Sequence, residues 1–341
     1  MFLRPEYRGR LKAAQSALES SGLDALLVTG DANVRYFTGV GSGRVVLWRT
    51  GAKFFLSEVY FGLAKNSPVA PAKQEKDAVK DLVLTKRFKK LGIDEVTLQA
   101  YTSLDPKFRK LLRPSDICWE LRKIKSKEEL RLLSKAGKIA ADVMRTLYES
   151  KIEGMSEFEL AGLIEYEIRK AGSEVPPFGG GMLCMSGPNS AYPHAPVTSR
   201  KIRGGDLIIL DFGAVVDGYH SDMTRTLEVG NVSKEKHNLV GFVDWLKGEA
   251  IDRIEPGGKI SEIHKYIEDE IKKKGYKFYH LSGHGVGLDV HERPSIGADE
   301  KDVFKEGMAF TIEPGIYTTT YGARSEDTLA IVGKRVKVLT A

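Results

Sequence analysis

The sequence predicts an α/β unit followed by a larger α+β unit. Three observations carry this. Short apolar runs alternate with helical spacing over residues 1–122. Over residues 123–341, long capped helices flank a central group of strands. A length of 341 residues suits two domains of about 150 residues each. Hydrophobic residues make up 42% and charged residues 29%, which excludes a disordered, collagenous or disulfide-stapled chain.

In the first unit, helical spacing runs over residues 8–21 and Gly22 can end it. Residues 25–28 (Ala-Leu-Leu-Val) have the length of a buried strand. Residues 44–48 and 53–56 read as strands joined at Thr50 and Gly51, and residues 91–94 follow a basic helix. The alternation is that of an α/β layer. The second unit opens with two capping boxes, Ser126 with Glu129 and Ser156 with Glu159, in which each side chain satisfies the other residue's free backbone N–H. They start helices over residues 126–150 and 156–172. Two more helices follow, over 234–254 before Pro256 and over 261–274 before Gly275. Between them lie strands 207–213 and 219–229, separated by Asp217 and Gly218, a strong hairpin signal.

That hairpin brings two acids together. With Asp217 and Gly218 as its loop, Asp211 faces Thr224 and Asp222 faces Gly213. Side chains alternate, so Asp211, Gly213, Asp222 and Thr224 share one face, and the two aspartates are diagonal neighbours. Two readings of the pair stand: a cation lies between them, or one caps a turn and the other points to solvent. His284 sits between glycines, in a stretch where His280, His284 and His291 fall within twelve positions of a chain with seven histidines. A lone histidine reads as a core residue or as a ligand, and the clustering raises the second reading. Glu313 is an acid in an apolar strand stopped by Pro314 and Gly315. Glu326 and Asp327 precede another apolar run, and alternation lets only one of them join the cluster. Four carboxylates and one imidazole suit Mn, Co, Fe or Zn in a two-metal site better than thiolate zinc, and neither cysteine is spaced as a ligand.

Net charge is +6 with a sequence pI near 9.0. The longest basic run, Lys272 to Lys274, closes a predicted helix, where cations suit the dipole. No basic stripe interleaves with stacking aromatics, so nucleic acid is not an expected partner. Two cysteines, no apolar leader in residues 1–10 and no apolar run of about 18 residues point to a cytoplasmic protein away from membranes.

The segments LDFGAVVDGYHSDMTRT (210–226), SGHGVGLDVHE (282–292), TIEPG (311–315) and RSEDT (324–328) resemble the metallopeptidase family of methionine aminopeptidases, aminopeptidase P and prolidases. The resemblance extends upstream to PNSAYPH (188–194), and NVRYFTG (33–39) is similar to the signature of the extra N-terminal domain in the prolidase, aminopeptidase P and creatinase branch. It implies a creatinase-like N-terminal domain (1–122) and a "pita-bread" catalytic domain (123–341). It also implies two divalent metals, Mn²⁺ or Co²⁺ foremost, with Zn²⁺ or Fe²⁺ as further choices. The implied ligands are Asp211, Asp222, His284, Glu313 and Glu326, with Asp211 and Glu326 bridging.

The implied activity is hydrolysis of the bond before proline in Xaa-Pro dipeptides, by a water or hydroxide shared between the metals. Glu313 would also move the proton, His194 and His291 would bind the carbonyl or oxyanion, and His280 would line the proline pocket. Arg324 would orient Asp211. Plainer readings are a packed core histidine for His280 and a surface salt bridge for Arg324. The same resemblance implies a homodimer. Two departures stand out. Many prolidases read His-Glu-x-Pro-Arg where this chain has His291-Glu292-Arg293-Pro294-Ser295, which favours weighing aminopeptidase P, acting on longer peptides, as the alternative. Ser325 replaces an apolar residue before Glu326. A methionine aminopeptidase would lack residues 1–122 and carry His in place of Asp327; creatinase, and the remote alternative of a non-catalytic peptide binder, would lack the ligands.

Overall fold

The computed structural model describes residues 4–175 and 183–341. The chain divides into two compact units, residues 1–122 and 123–341.

In the first unit the helices are α1 (Arg4–Ser21), α2 (Asp31–Thr38), α3 (Ala78–Thr85), α4 (Leu98–Ser103), α5 (Pro106–Arg109) and α6 (Ile117–Lys123). The strands are β1 (Ala25–Val28), β2 (Arg44–Trp48), β3 (Gly51–Leu56), β4 (Pro71–Lys73), β5 (Leu91–Ile93) and β6 (Leu112–Pro114). They form one sheet in the order β4-β3-β2-β1-β5-β6. The pairs β1–β5 and β5–β6 are parallel, while β1–β2 and β2–β3 are antiparallel. The sheet begins one pair earlier than the sequence suggests: Trp48 pairs with Gly51, so the turn is Arg49 and Thr50, and β3 starts at Gly51. Leu27, Val46, Phe55, Ile93 and Phe108 form the core on one side of the sheet.

The second unit has helices α7 (Lys127–Glu149), α8 (Glu157–Lys170), α9 (Lys234–Asp252) and α10 (Ile260–Lys273). Both capping boxes form: Ser126 and Ser156 accept from the backbone of Glu129 and Glu159, whose carboxylates accept in return. Its strands are β7 (Leu183–Ser186), β8 (Leu207–Phe212), β9 (Val215–Val216), β10 (Tyr219–His220), β11 (Met223–Glu228), β12 (His284–Gly285), β13 (Glu292–Ser295), β14 (Ala309–Ile312), β15 (Gly315–Tyr317), β16 (Gly322–Arg324), β17 (Glu326–Val332) and β18 (Arg335–Val338). The main sheet runs β13-β12-β14-β17-β11-β8-β7, with β18 also on β17, and its pairings are antiparallel. Its main core joins Leu239, Val243 and Leu246 of α9 and Ile263, Ile267 and Ile271 of α10 to Phe310, Ile312, Leu329 and Ile331 of the sheet. That apolar stripe at helical spacing is what seats both helices.

Two strands differ from expectation. Residues 219–229 are not one strand; the ladder breaks at Ser221 and Asp222. The Asp222 N–H donates instead to Thr328 Oγ1 at 2.9 Å, and Ser221 Oγ accepts from Ala214 N–H at 3.0 Å. Glu313 lies just past β14, because its N–H turns to the Ser282 carbonyl at 2.9 Å before Pro314.

Candidate metal centre

The hairpin sets the first half of the site. Asp217 and Gly218 have φ of 52° and 81°, the positive angles of a type I′ turn. Val216 pairs with Tyr219 and Asp211 with Thr224, so the register counted from the turn holds along the hairpin. Gly213 permits this: a Cβ there would meet the Ser221 carbonyl oxygen at 1.6 Å. Asp211 and Asp222 therefore open onto one face.

The sheet order supplies the rest. Strands β12, β14, β17, β11 and β8 are consecutive neighbours. Asp211 pairs with Thr224 and Thr224 with Glu326, one row across three strands. Glu313 follows the Ile312–Asp327 pair by one residue, which brings it to the same row. His284 N–H donates to Thr311 Oγ1, placing its ring beside them. Gly283 makes room: its φ is 153° and a Cβ there would meet the Thr311 carbonyl oxygen at 1.9 Å.

His284 Nδ1 lies 3.0 Å from the Gly285 carbonyl, which assigns the proton to Nδ1 and leaves Nε2 a bare acceptor. That Nε2 is 3.5 Å from Asp222, 3.6 Å from Glu313 and 3.9 Å from Glu326. One ligand atom each from Asp222, His284 and Glu326 lie within 4.8 Å of one another. Burial and then the neighbouring carboxylates push the Asp222 and Glu313 carboxyls well above their usual range. Glu326 is pushed to about 8, by burial and then by Asp211. Burial, with His291 adding to it, lowers His284 to about 4.

Asp211 Oδ1, Asp222 Oδ1 and Glu326 Oε1 are buried with no hydrogen-bond partner among the described residues. Buried carboxylate oxygens left so are costly unless protonated or facing a cation. Such oxygens, in a cleft where a bare imidazole nitrogen also faces Asp222, Glu313 and Glu326, fit divalent ions of the Mn, Co, Fe or Zn type. Cys118 and Cys184 are buried free thiols and neither lines the cleft.

A hydrogen-bonded ring supports these acids. Arg324, 2% exposed, donates from Nη2 to Asp211 Oδ2, from Nε to Thr224 Oγ1, and from Nη1 to the Pro193 carbonyl and the Tyr317 hydroxyl. Thr224 Oγ1 donates in turn to Glu326 Oε2 at 2.8 Å. His280 Nδ1 lies 2.7 Å from the Leu281 carbonyl, so its Nε2 accepts from Tyr317 at 3.1 Å. Burial lowers the pKa of His280 to about 4. His194 and His291 line the same cleft of about 900 Å³, and the His291 ring centroid is 4.2 Å from that of His284. Burial lowers both of their pKa values. Asp327 turns the other way, to Arg225 at 2.7 Å and Lys247 at 2.6 Å, as alternation requires.

Sequence reasoning passed over three residues. His220 lines the cleft, and its even spacing from Asp222 and Thr224 was the available signal. Asp289 also lines it, from a loop with no periodicity to read. Tyr317 bonds Arg324 and His280, a pairing only the folded chain makes. Arg293 and Ser295 are exposed on β13, and neither is among the residues lining the cleft.

Residues 131–332 match the model of metallopeptidase family M24, and residues 10–124 match the creatinase/prolidase N-terminal domain. An Xaa-Pro dipeptidase of Pyrococcus furiosus is 33% identical over 97% of both chains. The prolidase structure from Thermococcus sibiricus superposes with a TM-score of 0.92 at 33% identity, covering 98% of this chain and 97% of that one. An X-Pro aminopeptidase from Thermotoga maritima superposes at 0.86 with 26% identity, covering 96% of each. The fold is thus a creatinase-type N-terminal domain with a pita-bread catalytic domain.

Proposed function

The chain belongs to metallopeptidase family M24, and from that membership we propose that it hydrolyses the bond between an N-terminal residue and proline in Xaa-Pro dipeptides. Two divalent ions would be held by Asp211, Asp222, His284, Glu313 and Glu326. The observation that carries this reading is the bare Nε2 of His284 within 3.9 Å of carboxylate oxygens of Asp222, Glu313 and Glu326, in a cleft that Asp211 also lines. Mn²⁺ or Co²⁺ suits the oxygen-rich set, with Zn²⁺ and Fe²⁺ within its chemistry.

When bound, such ions lower the pKa of water towards about 7 and polarise the scissile carbonyl. The chain's own groups do the rest. Glu313 takes the proton of the attacking water, a general-base role that a carboxylate in the cleft can fill. Proline's nitrogen is tertiary and must gain a proton to leave, and Glu313 with the cleft histidines supplies it. His194 and His291 hydrogen-bond the developing oxyanion. His280 lines the proline pocket. Arg324 fixes Asp211 by a charge-assisted hydrogen bond, a positioning role.

Residues 1–122 and 123–341 serve as the N-terminal and catalytic domains of this enzyme. The family resemblance supports a homodimer. Two free thiols and no framework of disulfides support the cytoplasm; among the described residues no helix is long and apolar enough to cross a membrane.

A second reading, aminopeptidase P on longer peptides, is favoured by Ser295, which stands where the prolidase motif has Arg. The test is turnover of Met-Pro and of a Met-Pro-Xaa tripeptide with added Mn²⁺ or Co²⁺, and with chelator. Cleavage of the dipeptide alone, lost on chelation, is expected. Cleavage of the tripeptide supports the second reading, and cleavage of neither by metal-loaded protein removes both.

A further inference from the structure

One carboxylate outside the cleft holds the segment that carries His194. Glu157, the first residue of α8, is fully buried. Its Oε1 accepts from Ser186 N–H at 2.8 Å, Ser186 Oγ at 2.7 Å and Asn189 Nδ2 at 3.0 Å. Its Oε2 accepts from Asn189 Nδ2 at 3.0 Å, Thr198 N–H at 2.9 Å and Thr198 Oγ1 at 2.7 Å. Each of these donors belongs to residues 186–198, some before and some after His194. The start of α8 adds two backbone bonds to the far end, Glu157 N–H to the Arg200 carbonyl and Phe158 N–H to the Thr198 carbonyl.

The loop is thereby closed at both ends on one carboxylate. Its middle is tied to the site: the Pro193 carbonyl, just before His194, accepts from Arg324 Nη1 at 2.9 Å. A carboxylate is acceptor-only, which matches a neighbourhood made of N–H and O–H donors. A capping role alone does not account for this geometry, because Ser156 and Glu159 already form the capping box of α8.

We propose that Glu157 is a positioning residue for the reaction: by gathering Ser186, Asn189 and Thr198 around one buried carboxylate, it sets where His194 meets the substrate. This rests on the role proposed above for His194. Glutamine at 157 presents an NH₂ to donors on one side, so that side of the loop is released while the fold of α8 is kept.

The experiment is a double-mutant cycle in the full, metal-loaded chain on Met-Pro, with Glu157→Gln, His194→Ala and both together. Glu157→Gln should lower kcat by about 10–100-fold, with metal content unchanged. In the His194→Ala background it should cost less than about 2-fold further, because the group it acts through is gone. The His194 imidazole C2–H resonance, assigned by its loss in His194→Ala and read in the full chain carrying diamagnetic zinc, should shift in Glu157→Gln. Thr198→Val, which removes one donor and leaves the carboxylate in place, should show the same pattern at smaller size and carries the test if Glu157→Gln fails to fold. Multiplying losses in the double variant, or an unmoved His194 resonance, overturns the proposal while leaving His194 in place. A fully active His194→Ala enzyme overturns both it and the role given to His194. Inactive wild type on Xaa-Pro substrates strikes the function itself.

Discussion

Asp211 and Glu326 stand on either side of Thr224 in one row of the sheet, and Thr224 Oγ1 donates to Glu326 while accepting from the guanidinium that grips Asp211. The spacing of the two acids is thus fixed by strand pairing and by one hydroxyl, not by their own side chains. Ladder geometry is stiffer than a long side chain, so the site is preorganised before any ion enters.

Gly213→Ala tests that dependence. The new Cβ would sit 1.6 Å from the Ser221 carbonyl oxygen, a backbone atom that cannot swing aside. We expect a loss of at least about 2 kcal/mol in unfolding free energy by denaturant titration. Metal stoichiometry should fall with it, because Asp222 lies next to the displaced Ser221. Wild-type stability and metal content would refute the role given to the register.

Asp222→Asn removes a charge while nearly conserving shape. Metal content by elemental analysis should drop, and kcat on Met-Pro should fall by more than about 100-fold, beyond the cost of altering an outer partner. Thermal unfolding of the metal-free variant should stay at or above wild type, since burial and neighbouring acids already disfavour the Asp222 carboxylate. Full turnover in a metal-depleted Asp222→Asn protein would end its assignment as a ligand.

Arg324→Lys keeps the charge and loses the geometry. The guanidinium serves Asp211, Thr224, Pro193 and Tyr317 in different directions, and an ammonium on a flexible stem cannot reach all four. Because the residue is 2% exposed, the unmet partners should cost about 3 kcal/mol, read by denaturant titration. Metal affinity by calorimetry should also weaken as Asp211 loosens.

The pH dependence of the metal-free chain has a sign that can be worked out. Glu326 is held at about 8 in the fold, against about 4.3 when unfolded, so between those values the folded state binds the extra proton and stability falls as pH rises. His284 and His280 are held at about 4 against about 6.5, so their contribution is lost as pH falls below about 6.5. The two effects oppose each other below 6.5, and above it Glu326 acts without the histidines and in the same direction as the raised Asp222 and Glu313 carboxyls. From pH 6.5 to 8 the metal-free protein should lose on the order of 2 kcal/mol, and added Mn²⁺ should reverse the loss. A flat stability profile over that window, unaffected by Mn²⁺, would contradict the clustered-acid picture.

Much of this was legible in the chain. The turn at Asp217 and Gly218 fixed the register, and alternation then placed Asp211, Asp222 and Thr224 on one face and turned Asp327 away from Glu326. The two capping boxes marked the starts of α7 and α8 to the residue. Such features depend on neighbours a few positions apart and on the fixed periods of strand and helix. The break in the ladder at Ser221 was not legible, because it follows from a bond between Asp222 N–H and Thr328, 106 residues away. The same holds for Tyr317, which reaches Arg324 and His280 only once β15 and β16 fold back on each other.

The sequence by itself determined the residue types, the hairpin face and the family, since local periodicity and motif spacing are properties of the chain. Only the tertiary structure decided that β12, β14, β17, β11 and β8 lie side by side, and so that His284, Glu313, Glu326, Asp222 and Asp211 converge. Strand order is set by how antiparallel pairing and the helix stripes of α9 and α10 bury apolar surface together, and no short-range pattern encodes that sum.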